Sequence, residues 1–211
     1  MGGGYRALLE RLDRWFEAAR GRHPGVIPCR AGCAACCHGP FDISVADVEL
    51  LRDAVRRLPA AVREEVTRRA RRLVERMEAQ EPGWEAPHAI AALGEARFDR
   101  LAEALAAEPC PLLDDEGWCR IYQDRPLVCR LVGLTMVTPA GRVIENACPI
   151  QDRFPGYAAL PPEPFDLEDL EAGELECLQG AARRTLGDAS QHGYETTIAA
   201  AIADMDRPAG R

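Results

Sequence analysis

Lysine is missing from the 211-residue sequence, so its 26 basic residues are all arginine, and asparagine occurs only once, at Asn146. We attribute this bias to a GC-rich coding sequence. The arginines between Arg52 and Arg76 interleave with glutamates such as Glu64, so we interpret this stretch as the solvated face of a helix. The formal net charge of −8 gives a surface that repels nucleic acid and anionic membranes, which argues against both as partners.

Long hydrophobic runs are also lacking. No segment approaches the ~18 apolar residues of a membrane helix, and residues 1–10 lack the apolar core of a signal peptide. We therefore expect a cytoplasmic protein. Hydrophobic residues make up 47% of the chain, which is ordinary for a globular protein, and the length suits a single domain over residues 1–211 with its own core.

Apolar periodicity in the first half predicts helices. Apolar residues recur at helical spacing from Tyr5 to Phe16, which indicates a first helix. Ser44 is a predicted N-cap, and a helix should run from it to about residue 58. Pro59 can open another, to about residue 79, and a further helix is predicted over roughly 88–107. Residues 44–107 thus form a helical insert without cysteine, which we expect to cover a metal core and exclude water.

The pattern changes after Pro109, where short apolar runs and turn residues replace the helical periodicity. Residues 118–122 are predicted to form a strand, and residues 134–137 and 142–144 a hairpin.

The C-terminal part returns to helical periodicity. Asp166 is a predicted N-cap for a helix to about residue 186, and a last helix is predicted over 194–205. These form the C-terminal helices of residues 165–205. The sequence as a whole predicts a single, mainly α domain with a small irregular β portion, organised around a cysteine-rich metal core.

The cysteines fall into two groups, with Cys177 apart. A reducing compartment makes metal or redox chemistry a better explanation for them than disulfides. Thiolate sulfur is a soft ligand, and both a structural zinc ion and a cubane iron–sulfur cluster take four such ligands. We therefore expect a metal core from residues 27–39 and 108–150. Its predicted metal ligands are Cys29, Cys33, Cys36 and Cys37 in the first group and Cys110, Cys119, Cys129 and Cys148 in the second.

The adjacent pair Cys36 and Cys37 bears on the number of metal atoms. Neighbouring side chains point ~100° apart on a helix and to opposite faces on a strand, so the pair suggests a polynuclear site or two neighbouring sites. We expect both cysteine groups to converge on one core. Arg30, Arg120 and Arg130 each follow a cysteine, and they either offset thiolate charge or are ordinary exposed arginines.

The composite of motifs resembles one family. It consists of Cys29-x3-Cys33-x2-Cys36-Cys37, then Cys110-Pro111-Leu112-Leu113, then Cys119-x-Ile121-Tyr122-x2-Arg125-Pro126-x2-Cys129-Arg130. Over residues 29–150 the chain is similar to the YkgJ-type cysteine-cluster proteins, which are described as a zinc- or iron-chelating domain. The resemblance implies that the eight clustered cysteines bind zinc or iron, with a [4Fe–4S] cluster as one option. It also implies that Arg125, Pro126 and Arg130 shape the site, so we expect Arg125 and Arg130 to contribute to cofactor binding.

Other functions are open at this point, and no catalytic residue is predicted. Flagellin lysine methylases contain a similar cysteine cluster, so an iron–sulfur enzyme that transfers methyl groups is the alternative. Cys29-x3-Cys33-x2-Cys36 also has the spacing of radical S-adenosylmethionine enzymes, but Ala35, the surplus Cys37 and the lack of βα repeats argue against them. A redox-active dithiol protein would need a Cys-x-x-Cys motif that opens a helix after a strand, and the sequence does not predict that arrangement.

Two further residues have competing interpretations. His38 follows the cysteine pair and is either a ligand or proton carrier, or a loop histidine. Cys177 lies in a predicted helix near Leu170 and Leu178, so we expect it to be a core residue.

Overall fold

The computed structural model describes residues 3–146 and 148–205. Its helices are α1 (Gly3–Arg22), α2 (Val45–Arg56), α3 (Ala60–Gln80), α4 (Ile90–Leu93), α5 (Glu95–Ala104), α6 (Leu127–Leu131), α7 (Pro155–Ala158), α8 (Leu167–Thr185) and α9 (Ile198–Ala203). Its strands are β1 (Asp42–Ser44), β2 (Met136–Val137), β3 (Val143–Ile144), β4 (Glu163–Pro164) and β5 (Glu195–Thr197). The predicted fold class, mainly helical with a few short strands, is confirmed. Among the described residues, no helix has both the length and the apolar content needed to cross a bilayer.

Three predicted helix starts are confirmed. The Ser44 hydroxyl accepts a hydrogen bond from the Asp47 N–H at the start of α2, as an N-cap serine does. Asp166 caps α8 in the same way through the Asp169 N–H. Pro59 occupies the N-cap position of α3.

Three predicted elements differ from the structure. The helix expected over 88–107 is divided into α4 and α5 at Gly94, whose φ of +86° lies outside the helical region. The strand expected over 118–122 is wrong, because Asp114 accepts hydrogen bonds from the N–H groups of Glu116 and Trp118 and closes a tight turn. Only one antiparallel bridge, Leu113 to Cys119, forms there. The last helix begins at Ile198, because the preceding residues form β5.

Within residues 3–146 and 148–205, two small sheets connect separate parts of the chain. In the first, β1 pairs antiparallel with β5, with Ile43 opposite Thr196. In the second, β2 and β3 form the predicted hairpin, with Met136 opposite Ile144, and β4 adds in parallel beside β2.

The hydrophobic core is continuous with the cysteine segments. Buried residues of the helical insert, such as Val48 and Val66, share one cluster with Leu112 and Ile121 from the second cysteine group. Burying such side chains stabilises the fold by about 1.5–3 kcal/mol each. The insert therefore packs directly against the segment that carries Cys110 and Cys119. A second cluster joins α1 to α2 and α8.

Candidate metal centre

Backbone hydrogen bonds hold the two cysteine groups together. The Cys110 N–H donates to the carbonyl of Cys37 at 2.9 Å, and the Gly39 N–H donates to the carbonyl of Glu108 at 2.6 Å. Between them, His38 and Pro109 face each other as an isolated antiparallel bridge. The two segments are thus paired like a short piece of sheet, although 73 positions separate Cys37 from Cys110.

Most of the clustered cysteines line one cavity of about 280 Å³. The seven that line it are Cys29, Cys33, Cys36, Cys37, Cys110, Cys119 and Cys129. Apolar side chains, among them Phe16, Phe41 and Ile198, complete the wall. Both groups therefore contribute thiols to the same space.

Two cysteines lie outside this lining. Cys148 is buried in a cluster with Tyr157 and Leu134, and it is near enough to Cys29 for the two thiols to interact electrostatically. Cys177 lies on α8, where it packs with the cluster that joins α1, α2 and α8.

The first group is built from consecutive turns. The Cys33 N–H donates to the Arg30 carbonyl at 2.9 Å, and the Cys37 N–H donates to the Ala34 carbonyl at 3.0 Å. Gly32 has a φ of +86°, and the indole of Trp118 lies so close that a Cβ on Gly32 would be 2.9 Å from Cη2. The half-exposed Trp118 ring thus covers this loop, and only glycine fits beneath it.

Burial raises the pKa of three cysteines of the second group. It raises the pKa of Cys110 to about 12, that of Cys119 above its usual range, and that of Cys129 well above it. Neighbouring thiols act in the same direction, because one thiolate disfavours another. Burial therefore favours the neutral thiol form of these three side chains over the thiolate.

In the first group the pKa values of Cys29 and Cys37 are also raised, whereas that of Cys36 is lowered. Burial, followed by the proximity of Cys33, raises the pKa of Cys29 to about 12. A hydrogen bond between the adjacent side chains lowers the pKa of Cys36 and, together with burial, raises that of Cys37. The lowered pKa makes Cys36 the thiol of this pair that ionises first.

The thiols surround the cavity without converging on a point. Among residues 3–146 and 148–205, no three cysteine, histidine or carboxylate side chains meet closely enough to hold one metal ion. The donor set nevertheless fits a soft metal, because sulfur predominates among the cavity's potential ligands. Gathering neutral thiols on a metal requires their deprotonation.

Arg125 and Arg130 both line the cavity, and both pair with Asp13 of α1. Arg125 donates to Asp13 Oδ1 at 2.7 Å, and its guanidinium lies 4.3 Å from the centre of the Tyr122 ring. Arg130, buried apart from 4% of its surface, donates to Asp13 Oδ2 and to the carbonyls of Arg125 and Gln123. Asp13 was not predicted, because nothing in its sequence neighbourhood sets it apart from other helical acids.

The remaining polar candidates have different surroundings. Arg30 is exposed and lines the cavity, whereas Arg120 pairs with Glu65 of α3 at 3.1 Å. His38 is exposed and is not among the cavity-lining residues.

Comparison with protein families supports metal binding by the clustered cysteines. The model of the CxxCxxCC family, described as a "putative zinc- or iron-chelating domain", matches residues 28–149. This range spans more than half of the chain and covers all eight clustered cysteines. No curated protein and no solved structure matched the chain.

Proposed function

The chain belongs to the CxxCxxCC family of zinc- or iron-chelating domains, and from this premise we propose that its eight clustered cysteines hold one thiolate-bound centre with more than one metal atom. The observation that carries the proposal is the shared cavity, lined by seven thiols from both groups. A single zinc ion takes four ligands, so seven are too many for one ion. Cys148, buried beside this cavity, is the eighth ligand in this proposal.

The size of the cavity supports a polynuclear centre. Its volume of about 280 Å³ is roughly nine times the ~30 Å³ share of one water molecule in the liquid. The adjacent Cys36 and Cys37 are explained in the same way, because neighbouring side chains rarely reach one ion but can bind two atoms of a cluster. The candidate cofactors are therefore two or more zinc ions, or an iron–sulfur cluster such as [4Fe–4S].

The charges near the cavity fit anionic ligands. Bound thiolates are negative, and Arg125 and Arg130 place two guanidinium groups beside them, of which Asp13 balances one. In this proposal the two arginines bind the cofactor indirectly, by stabilising its negative charge. All nine cysteines are free thiols, which suits a reducing compartment such as the cytoplasm.

The test is to purify the protein without oxygen and to measure zinc, iron and acid-labile sulfide per chain, together with the visible spectrum. Iron with sulfide and a broad visible absorption band means a cluster, and a colourless protein with two or more zinc ions means zinc–thiolate sites. A single metal ion per chain would overturn the polynuclear centre. Purification without zinc or iron, followed by failure to bind either on reconstitution, would overturn metal binding itself.

A second candidate is an iron–sulfur enzyme of the flagellin lysine methylase type. The observation that favours it is the apolar side of the cavity, where Phe16, Phe41 and Ile198 leave room for an organic molecule beside the thiols. The iron-loaded, reduced protein would be incubated with S-adenosylmethionine and a lysine-containing flagellin, and methylation measured by mass spectrometry. A zinc-only protein, or iron-loaded protein that leaves flagellin unmodified, would exclude this candidate.

A further inference from the structure

Asp47 is a buried acid that the cysteine motifs do not involve. It lies in the first turn of α2, and only 3% of it is exposed. Its carboxylate accepts hydrogen bonds from uncharged donors, and Arg130 interacts with it electrostatically. Burial raises the pKa of this carboxyl, whereas the donors around it act in the opposite direction. Ionising a buried carboxyl is costly, so its hydrogen bonds must offset a large desolvation penalty.

Three elements of the fold meet at this carboxylate. Oδ1 accepts a hydrogen bond from the Tyr5 hydroxyl of α1 at 2.8 Å and from the Leu127 N–H at 3.0 Å. Oδ2 accepts from the Ser44 hydroxyl, which ends β1, at 3.3 Å. The carboxylate thus has uncharged donors from α1, from the end of β1 and from α6.

The hydrogen bond to Leu127 connects Asp47 to α6, the helix that carries cavity-lining residues. Leu127 is the first residue of α6, and the amide of a first helical residue has no partner inside its own helix. Pro126 occupies the N-cap position, and its side chain makes no capping hydrogen bond. Asp47 therefore caps α6 from a distance of 80 positions in the chain.

We infer that Asp47 is a positioning residue of the metal centre, which fixes the first turn of α6 and thereby the cavity-lining Cys129 and Arg130. Both residues lie within this five-residue helix, so its start determines where they point. The inference rests on the proposed function. It also gives the helical insert a part in the site beyond covering it.

The test compares four variants by titration with Co²⁺, whose visible bands report the geometry of thiolate ligands. Asp47→Ala removes the cap, and Co²⁺ should bind about 10–100-fold more weakly with shifted bands, as when other partners of ligand residues are lost. Asp47→Asn keeps an acceptor oxygen and should retain most of the affinity. Leu127→Pro removes the same hydrogen bond from the other end, at a helix position where proline is tolerated, and should resemble Asp47→Ala.

The matched control is Val74→Ala, which truncates a buried side chain of α3 whose hydrophobic cluster, among the described residues, contains no cysteine. It should lower the stability of the protein while leaving Co²⁺ affinity and spectrum unchanged. If Asp47→Ala fails to fold, Leu127→Pro decides the question alone. Wild-type affinity and spectrum in Leu127→Pro and in any folded Asp47→Ala would overturn the positioning role. Failure of the wild-type protein to bind Co²⁺, zinc or iron would instead overturn the proposed function and this inference with it.

Discussion

The guanidinium of Arg130 forms an ion pair with the carboxylate of Asp13, which lies 117 positions earlier in the chain. Arg130 directly follows Cys129, so the pair anchors the cavity-lining turn of α6 to the first helix. The same carboxylate also binds Arg125. One acid therefore holds both arginines of the cysteine motif in place.

We predict that Asp13→Ala destabilises the protein by about 3 kcal/mol, because removing one partner of a buried pair leaves an uncompensated charge inside the protein. The Arg130 side chain is 3% exposed, so the loss of Asp13 would leave its guanidinium buried without this ion-pair partner. Urea unfolding of the metal-free protein measures the change directly.

Arg11→Ala is the control for that prediction. It removes an ion pair from the same helix, but Arg11 and Asp169 have 39% and 65% of their side chains exposed. Exposed pairs contribute about 0–1 kcal/mol. Equal losses in the two variants would show that the Asp13 network has no special role in stability.

A second prediction concerns the division of the cysteines. Cys129→Ser should lose metal and loosen residues 108–150, because structural metal contributes of order 10 kcal/mol to folding. Cys177→Ser makes the same chemical change on α8 and should keep full metal content, at a cost of about 1 kcal/mol. Metal analysis and hydrogen exchange on both variants give the comparison. Metal loss in both would make Cys177 a ninth ligand, and retention in both would mean that Cys129 is merely buried.

Local signals explain the parts of the fold that could be predicted from the sequence. Ser44 and Asp166 cap helices through hydrogen bonds that span three positions, so a short window contains everything needed to recognise them. The cysteine motifs were equally readable, and the family they indicated is confirmed. The division into cysteine core, helical insert and C-terminal helices stays a prediction.

Long-range contacts explain what could not be predicted. The pairing of Ile43 with Thr196 depends on two three-residue strands too short to be distinguished from loop. Asp13 and Asp47 look like any helical acid, and only the folded chain brings them to Arg130 and Leu127. The strand expected near Trp118 failed because Asp114 uses its side chain to close the turn.

A third prediction uses the contact between Gly32 and Trp118. Gly32→Ala places a Cβ 2.9 Å from the ring and forces it aside, so the fluorescence of Trp118 should change and the loop of Cys33 should exchange its amides faster. Gly141→Ala is the matched control, because Gly141 has a similar φ of +80° with open space around it. Each variant should lose about 1–2 kcal/mol from the left-handed backbone. Unchanged fluorescence and exchange in Gly32→Ala would show that the ring does not hold this loop.

The last prediction concerns His88, which lies outside the metal centre. Its ring is 2% exposed, with Nε2 2.9 Å from Glu78 of α3 and Nδ1 3.5 Å from Asp204 after α9. Both nitrogens thus face carboxylates, an arrangement that suits the doubly protonated ring. Burial alone would lower the pKa of His88, but the nearby carboxylates of Asp204 and Glu78 outweigh it and raise the pKa.

Because folding raises the pKa of His88, the stability that this residue contributes decreases as the pH rises. The stability contributed by His88 is fully present below its unfolded pKa of about 6.5 and is lost as the pH rises through the folded value. We therefore expect the unfolding free energy of the wild type, relative to His88→Asn, to fall as the pH rises above the unfolded value of about 6.5. Asparagine tolerates the φ of +53° at this position, so the variant removes the imidazolium while the backbone is kept.

The variant should be less stable than the wild type by about 1.5–3 kcal/mol at the acidic end, which is the usual contribution of a hydrogen bond to a charged group. Urea unfolding at each pH measures both proteins, and taking their difference cancels the titration of the cysteines and of other acids. A difference that stays constant across the range would mean that His88 keeps one protonation state throughout. A difference that grows with pH would mean that the neutral ring is the form the fold selects.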